Sequence, residues 1–131
     1  MSAETQNANK SENVNRILVA EDSKTEQVHL RKLLEATGYE VTVVDSGSQA
    51  LESIDNFKPD LILMDILMDD GDGYQVCRKL KRNYETKDIP IIMVSSKSNE
   101  VDRKWAIKLG ALDYIVKPYV DTELLQRLSE I

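Results

Sequence analysis

The stretch that most constrains this chain is Pro59-Asp60-Leu61-Ile62-Leu63-Met64-Asp65. Leu61 to Met64 is an apolar run too short for a buried helix. Its length suits a strand covered on both faces, as in a parallel sheet. Pro59 stops what precedes it. The strand then ends on Asp65, which puts a carboxylate at its C-terminal tip. In open α/β sheets the crevice beyond those tips is where ligands and chemistry sit. A lone aspartate there is most simply a cap for the next helix. Asp65 is singled out because charged residues recur at the same place in the other units.

Those units alternate strand and helix five times. Arg16 to Ala20 is a short apolar strand, and Ser23 with Glu26 three residues on forms a capping box that opens a helix. Leu30, Leu33 and Leu34 give that helix one apolar stripe, and Gly38 ends it. Glu40 to Val44 is β-branched and reads as a strand. Gly47 to Asn56 carries Ala50, Leu51 and Ile54 at helical spacing. After Asp65, Val76, Cys77 and Leu80 line the inner face of a third helix. Ile91 to Val94 is another doubly covered strand, and Asn99 to Leu109 is a helix stopped by Gly110. Asp113 to Val116 is the last strand, and Asp121 to Ile131 the last helix, with Leu124, Leu125 and Leu128 facing in. Such alternation with short loops implies right-handed crossovers and a parallel sheet. A Rossmann half and the flavodoxin-like order 2-1-3-4-5 both fit. No G-x-G-x-x-G or P-loop follows the first strand, which argues against nucleotide cradling by backbone amides.

The 131 residues, 41% of them hydrophobic, suffice for one domain and not for two. Met1 to Asn15 is polar and reads as a disordered tail, leaving 16–131 as the domain. A net charge of -6 argues against direct nucleic-acid binding and against anionic membrane surfaces. No apolar run reaches membrane-spanning length, and the N-terminus lacks a signal-peptide layout. The single cysteine, Cys77, forbids an internal disulfide, supports no zinc site and reads as a small core residue. The expected location is cytoplasmic.

The strand tips carry Glu21-Asp22, Asp65, Ser95-Ser96-Lys97 and Lys117-Pro118. In the order 2-1-3-4-5 these converge on one edge. Three carboxylates packed there cannot all stay ionised without a compensating cation. Hard oxygen donors with no His or Cys among them suit Mg2+. A divalent ion, a lysine and a hydroxyl together clamp a phosphoryl group, and a carboxylate in the clamp can be its nucleophile.

Glu21-Asp22, Asp65, Ser95 and Lys117-Pro118, each after its own strand, resemble the receiver domains of two-component response regulators. The resemblance spans roughly residues 15 to 131 and implies a flavodoxin-like, doubly wound (βα)5 fold with parallel order 2-1-3-4-5. It implies that Asp65 is the phospho-acceptor for a sensor histidine kinase. It implies an Mg2+ site with Asp22 binding directly, Glu21 largely through water, and Asp65 and the backbone carbonyl of Leu67 as the other ligands. Ser95 would be the switch hydroxyl, Lys117 the phosphate-pairing lysine and Tyr114 the switch aromatic. Pro118 matches a proline that often follows a cis bond. Leu67 and Lys97 would flank the path of the hydrolytic water and tune the phosphoryl lifetime. The output would be a downstream protein partner on the face of the 99–109 helix, the 113–116 strand and the 121–131 helix, with Trp105 at its margin. On phosphorylation Ser95 would move inward and Tyr114 rotate into the vacated space.

A narrower similarity, in Ser95-Ser96-Lys97, Asp102-Arg103, Trp105, Gly110-Ala111 and Tyr114, is to stand-alone regulators of pilus-based twitching motility and phototaxis. One departure is Asp69, followed by Asp70, where the family commonly has proline after Met68. The acidic run 69–72 lacks EF-hand spacing and reads as a solvated turn. His29 reads as a surface helix residue, and Trp105 with Leu109 as core or groove lining. Two other functions compete with the switch. An aspartyl-phosphate phosphatase would need a second aspartate two residues after the nucleophile, where Leu67 stands. A phosphorylation-independent module would have no need of Asp22, Asp65 and Lys117 together.

Overall fold

A computed structural model describes residues 10–68 and 71–131, with the backbone alone at 71 and 72. Five strands form one parallel sheet: β1 Arg16–Ala20, β2 Glu40–Val44, β3 Leu61–Asp65, β4 Ile91–Ser95 and β5 Asp113–Val116. Their order is β2-β1-β3-β4-β5, the flavodoxin-like alternative of the two the sequence allows. The helices between and after them are α1 Lys24–Thr37, α2 Gly47–Phe57, α3 Gly73–Arg82, α4 Glu100–Lys108 and α5 Asp121–Ser129.

Every residue of β3 and β4 is buried, as expected for doubly covered strands. Side chains alternate between two cores. Leu18, Ala20, Ile62 and Met64 pack with Ala50, Val76, Cys77 and Ala106 from α2, α3 and α4. Ile17, Val19, Leu61 and Leu63 pack with Leu30, Leu34, Leu124 and Leu128 from α1 and α5. Each such Leu or Ile contributes about 1.5–3 kcal/mol by leaving water, so the middle strands are the fixed frame and their tips are held rigidly. Cys77 is a free core thiol, and burial pushes its pKa up, as an inert packing residue requires.

The helix signals hold with small changes at the ends. Ser23, Ser46 and Asn99 each accept a bond from the amide three residues on, and Gly38 and Gly110 take positive φ after α1 and α4. The capping box of α1 forms by half. Ser23 Oγ accepts from Glu26 N at 3.4 Å, but the amide of Ser23 donates to Glu21 Oε2 at 3.0 Å, so Glu21 takes the place expected of Glu26.

Two further differences concern the chain outside the (βα)5 frame. A disordered tail was expected through Asn15, yet packing begins by Ser11. Ser11 and Val14 are buried, Ser11 N donates to Tyr39 Oη at 2.9 Å, and Asn13 Nδ2 donates to Ile131 O at 2.9 Å. One valine and one tyrosine hydroxyl suffice to dock a segment whose composition is polar. Residues 1–9 of that expected tail lie outside the described residues. After β3, Leu67–Met68 and Gly71–Asp72 pair as a two-residue antiparallel ladder that no sequence pattern announces. Residues 69 and 70 of the expected solvated turn lie outside the described residues. Gly73, which follows, is fixed by close approach: a Cβ there would collide with the Asp65 carbonyl oxygen, and its amide donates to Ile66 O at 2.7 Å.

Candidate functional site

Strand register sets the site. Asp65 is level with Val94 and Ser95 with Val116, while Glu21 and Lys117 continue the ladders by one bond each, Glu21 N to Val44 O and Lys117 N to Ser95 O. The residues named from sequence therefore meet at one edge. Carboxylate oxygens of Glu21, Asp22 and Asp65 lie within 4.8 Å of one another. Glu21, Asp65 and Ser95 are buried. The Lys117–Pro118 peptide bond is cis.

Lys117 ties the cluster together. Its ammonium donates to Glu21 Oε1 at 2.8 Å and to Asp65 Oδ2 at 2.9 Å. It also pairs with Glu26 Oε1 at 2.8 Å. Burial works to lower the lysine's pKa, but the bonds to Glu21, Glu26 and Asp65 outweigh it and hold the group above its ordinary value. The other oxygen of Asp65, Oδ1, accepts from Leu67 N at 3.1 Å. Its carboxylate is thus held by a bond at each oxygen, which fixes its orientation. Burial pushes Glu21 up to about 7, against the bonds from Lys117 and the Ser23 amide, with the Asp65 charge adding to the rise. One ammonium does not neutralise this edge, and the carboxylate of Asp22 has no hydrogen-bond or ion-pair partner among the described residues. Hard oxygens, a charge deficit and an unengaged carboxylate together fit a divalent cation.

Ser95 and Tyr114 are joined through one peptide. Ser95 Oγ accepts from Lys97 N at 3.1 Å, and the Tyr114 hydroxyl donates to Lys97 O at 2.8 Å. Tyr114 is 1% exposed, so it already occupies the inward space that the sequence reading has it rotate into. Lys97 and Leu67 are both exposed. Trp105 is a groove residue, lining with Leu109 a cleft shared with Tyr74, Gln75 and Arg78. His29 is exposed and pairs with Asp121 at 2.7 Å, and it lines a groove with Glu26 and Lys117, nearer the site than its place in the first helix suggests.

One site residue escapes the sequence reading. Glu26 looks like a capping-box partner, but its carboxylate reaches Lys117 instead. The only signal for it is that Glu21, two residues before Ser23, can serve the same amide.

Comparison with known proteins agrees with this geometry. Residues 17–129 match the family model of the response regulator receiver domain. The chain is 37% identical over 116 residues to Protein PilH of Pseudomonas aeruginosa, covering 88% of this chain and 96% of that protein. It is 39% identical over 120 residues to the transcriptional regulatory protein BaeR of Escherichia coli, covering 92% of this chain and spanning only 49% of BaeR. The receiver domain of sensor histidine kinase PA1611 from Pseudomonas aeruginosa superposes with a TM-score of 0.79 at 32% identity, over 90% of this chain and 99% of that one. That structure has a magnesium ion coordinated in its active-site cleft. An edge of carboxylates, lysine and serine on a β2-β1-β3-β4-β5 sheet, matched over nearly the whole (βα)5 frame, places the chain in the family of response regulator receiver domains.

Proposed function

We propose that this receiver domain is a switch in which Asp65 takes a phosphoryl group from the phosphohistidine of a sensor kinase and thereby alters a protein-binding face. The observation that carries this reading is the Asp65 carboxylate, held between Lys117 and the Leu67 amide beside Glu21 and Asp22. A carboxylate oxygen of Asp65 attacks phosphorus, the phosphorus–nitrogen bond breaks, and the imidazole leaves with the electron pair and takes up a proton. Glu21, Asp22, Asp65 and the Leu67 carbonyl would hold Mg2+, which when bound supplies the positive charge this edge lacks. Lys117 pairs with the phosphoryl oxygens. Ser95, the hydroxyl on the adjacent strand, donates to one of them. Uptake from acetyl phosphate tests the reading: labelling requires Mg2+ and stops with EDTA, and labelling undiminished by EDTA contradicts it.

The metal reading has a pH signature. Glu21 has a folded pKa of about 7 against an ordinary 4.5. The folded chain therefore keeps a proton that the unfolded chain loses. The stability this gives is full below about pH 4.5 and lost as pH rises through about 7, a loss of up to about 3 kcal/mol. A cation bound at the cluster favours ionised Glu21, so its stabilisation appears above that range. Thermal melts with and without Mg2+ should show a larger gain in Tm at pH 8 than at pH 6. An equal gain at both contradicts Glu21 as part of the site.

The phosphoryl lifetime depends on Leu67 and Lys97. Leu67 is apolar and cannot orient a water. Leu67→Asn should shorten the lifetime of the phosphorylated protein by about fivefold to tenfold, the scale of one well-placed hydrogen bond. An unchanged or longer lifetime refutes the role. The same Leu67 disfavours a phosphatase of external phosphoesters, because no general acid stands two residues after the nucleophile.

The downstream partner docks on the face of α4, β5 and α5, where Ile107 and Leu112 are exposed and Arg127 pairs with Asp113. The similarity to PilH and to twitching-motility regulators supports a place in pilus-motility control. No helix among the described residues is long and apolar enough to cross a membrane, and a cytoplasmic location fits a kinase-fed switch.

A further inference from the structure

Lys117 has three N–H bonds to give, and three carboxylates take them: Glu21 and Glu26 at 2.8 Å and Asp65 at 2.9 Å. Glu21 and Asp65 come from the tips of the sheet. Glu26 comes from the first turn of α1, its side chain 39% exposed. It is free to do so because Glu21 Oε2 has taken the Ser23 amide. A divalent ion and Lys117 together match Glu21, Asp22 and Asp65, three charges against three. Glu26 is then the excess, one negative charge left beside the lysine that meets an incoming phosphoryl group. It faces the mouth of the site, in a groove it shares with Thr25, His29, Pro118 and Tyr119.

We propose that Glu26 is a positioning and specificity-determining residue that holds Lys117 at rest and repels small anionic phosphoryl donors, so that Asp65 is loaded by a protein-bound phosphohistidine. The proposal rests on Asp65 being the phosphoryl acceptor. Repulsion acts on every anionic donor, but a protein donor offsets it with contacts remote from the phosphoryl group, and a small molecule has none to offer.

The test compares rates of phosphorylation in Mg2+ for wild type, Glu26→Gln, Glu26→Ala, Glu26→Asp and Asp65→Asn, with doubly charged acetyl phosphate and singly charged phosphoramidate as donors. One charge a few ångströms from a dianion, partly screened, gives Glu26→Gln and Glu26→Ala a gain of about fivefold with acetyl phosphate. The gain should be smaller with phosphoramidate and shrink at high salt. Glu26→Asp, which keeps the charge, should show no such gain. A merely structural role would slow both donors alike. Neutral variants that label no faster than wild type, or equally faster with both donors, overturn the proposal. Equal labelling of Asp65→Asn and wild type overturns instead the acceptor reading beneath it. Circular dichroism melts of each variant separate an effect at the site from a failure to fold, and two neutral side chains of different size keep the comparison open if one is unstable.

Discussion

Asp65→Asn protein should take up no phosphoryl group from acetyl phosphate under conditions where wild type is labelled. A neutral amide oxygen is a far weaker nucleophile than a carboxylate, and the loss should be about a hundredfold or more. Asparagine keeps the shape of the side chain, and its oxygen still accepts from Lys117 or the Leu67 amide, so the tip of β3 is preserved. It also removes a charge that helps to hold the Glu21 pKa up. The variant should therefore melt at or above the wild-type temperature without metal. Loss of labelling with an intact melt assigns the defect to chemistry. Labelling at the wild-type rate would show that another residue is the acceptor.

Ser95→Ala protein should be labelled normally and transmit almost nothing. The nucleophile, the carboxylates and Lys117 are untouched, but the route from the phosphoryl group to Tyr114 is cut. That route runs through the Lys97 peptide and through the direct approach of the Ser95 and Tyr114 hydroxyls. Lys97 gives its N–H to Ser95 Oγ and its carbonyl to the Tyr114 hydroxyl. When Ser95 turns to the phosphoryl oxygens, the Lys97 amide loses its acceptor and the hold on Tyr114 changes with it. Tyr114 is already inward, so the proposed switch would work by altering how a buried tyrosine is held, with no empty space to be filled. A hydrogen bond to a charged group is worth about 1.5–3 kcal/mol, tenfold or more in the balance between two states. Amide NMR shifts at Lys97 and Tyr114 on phosphorylation read the coupling directly. They should be large in wild type and nearly absent in Ser95→Ala at equal labelling. Full wild-type shifts in the variant would remove Ser95 from the route.

Much of this was legible in the sequence because the two central strands are apolar runs up to their tips. Leu61–Met64 and Ile91–Val94 have no polar face to misplace, and the structure buries all of them. Sheet order was not legible from patterning, since both doubly wound orders fit until the residues at the tips were compared with a family. The site residues could be read because Asp65 and Ser95 end a strand and Glu21 and Lys117 directly follow one, where position along the chain fixes position in space. Glu26 could not. Three residues after Ser23 it satisfies a local rule, and only the three-dimensional fact that Glu21 reaches the same amide releases it toward Lys117. Tyr114 was placed on the right strand, but which way it points depends on a carbonyl seventeen residues earlier in the chain. The segment from Lys10 to Asn15 looked like tail because composition cannot register one hydroxyl that waits for Ser11.

Asp65 is the residue proposed to carry the phosphoryl group. Borohydride reduces an acyl phosphate to an alcohol and leaves a free carboxylate alone, so treatment of freshly labelled wild-type protein converts a phosphorylated aspartate to homoserine. Peptide mass spectrometry then locates it. Homoserine should appear at position 65 and nowhere else, in Mg2+ and not in EDTA. Homoserine at Asp22 or at any other aspartate, or none in protein that is labelled, would contradict it.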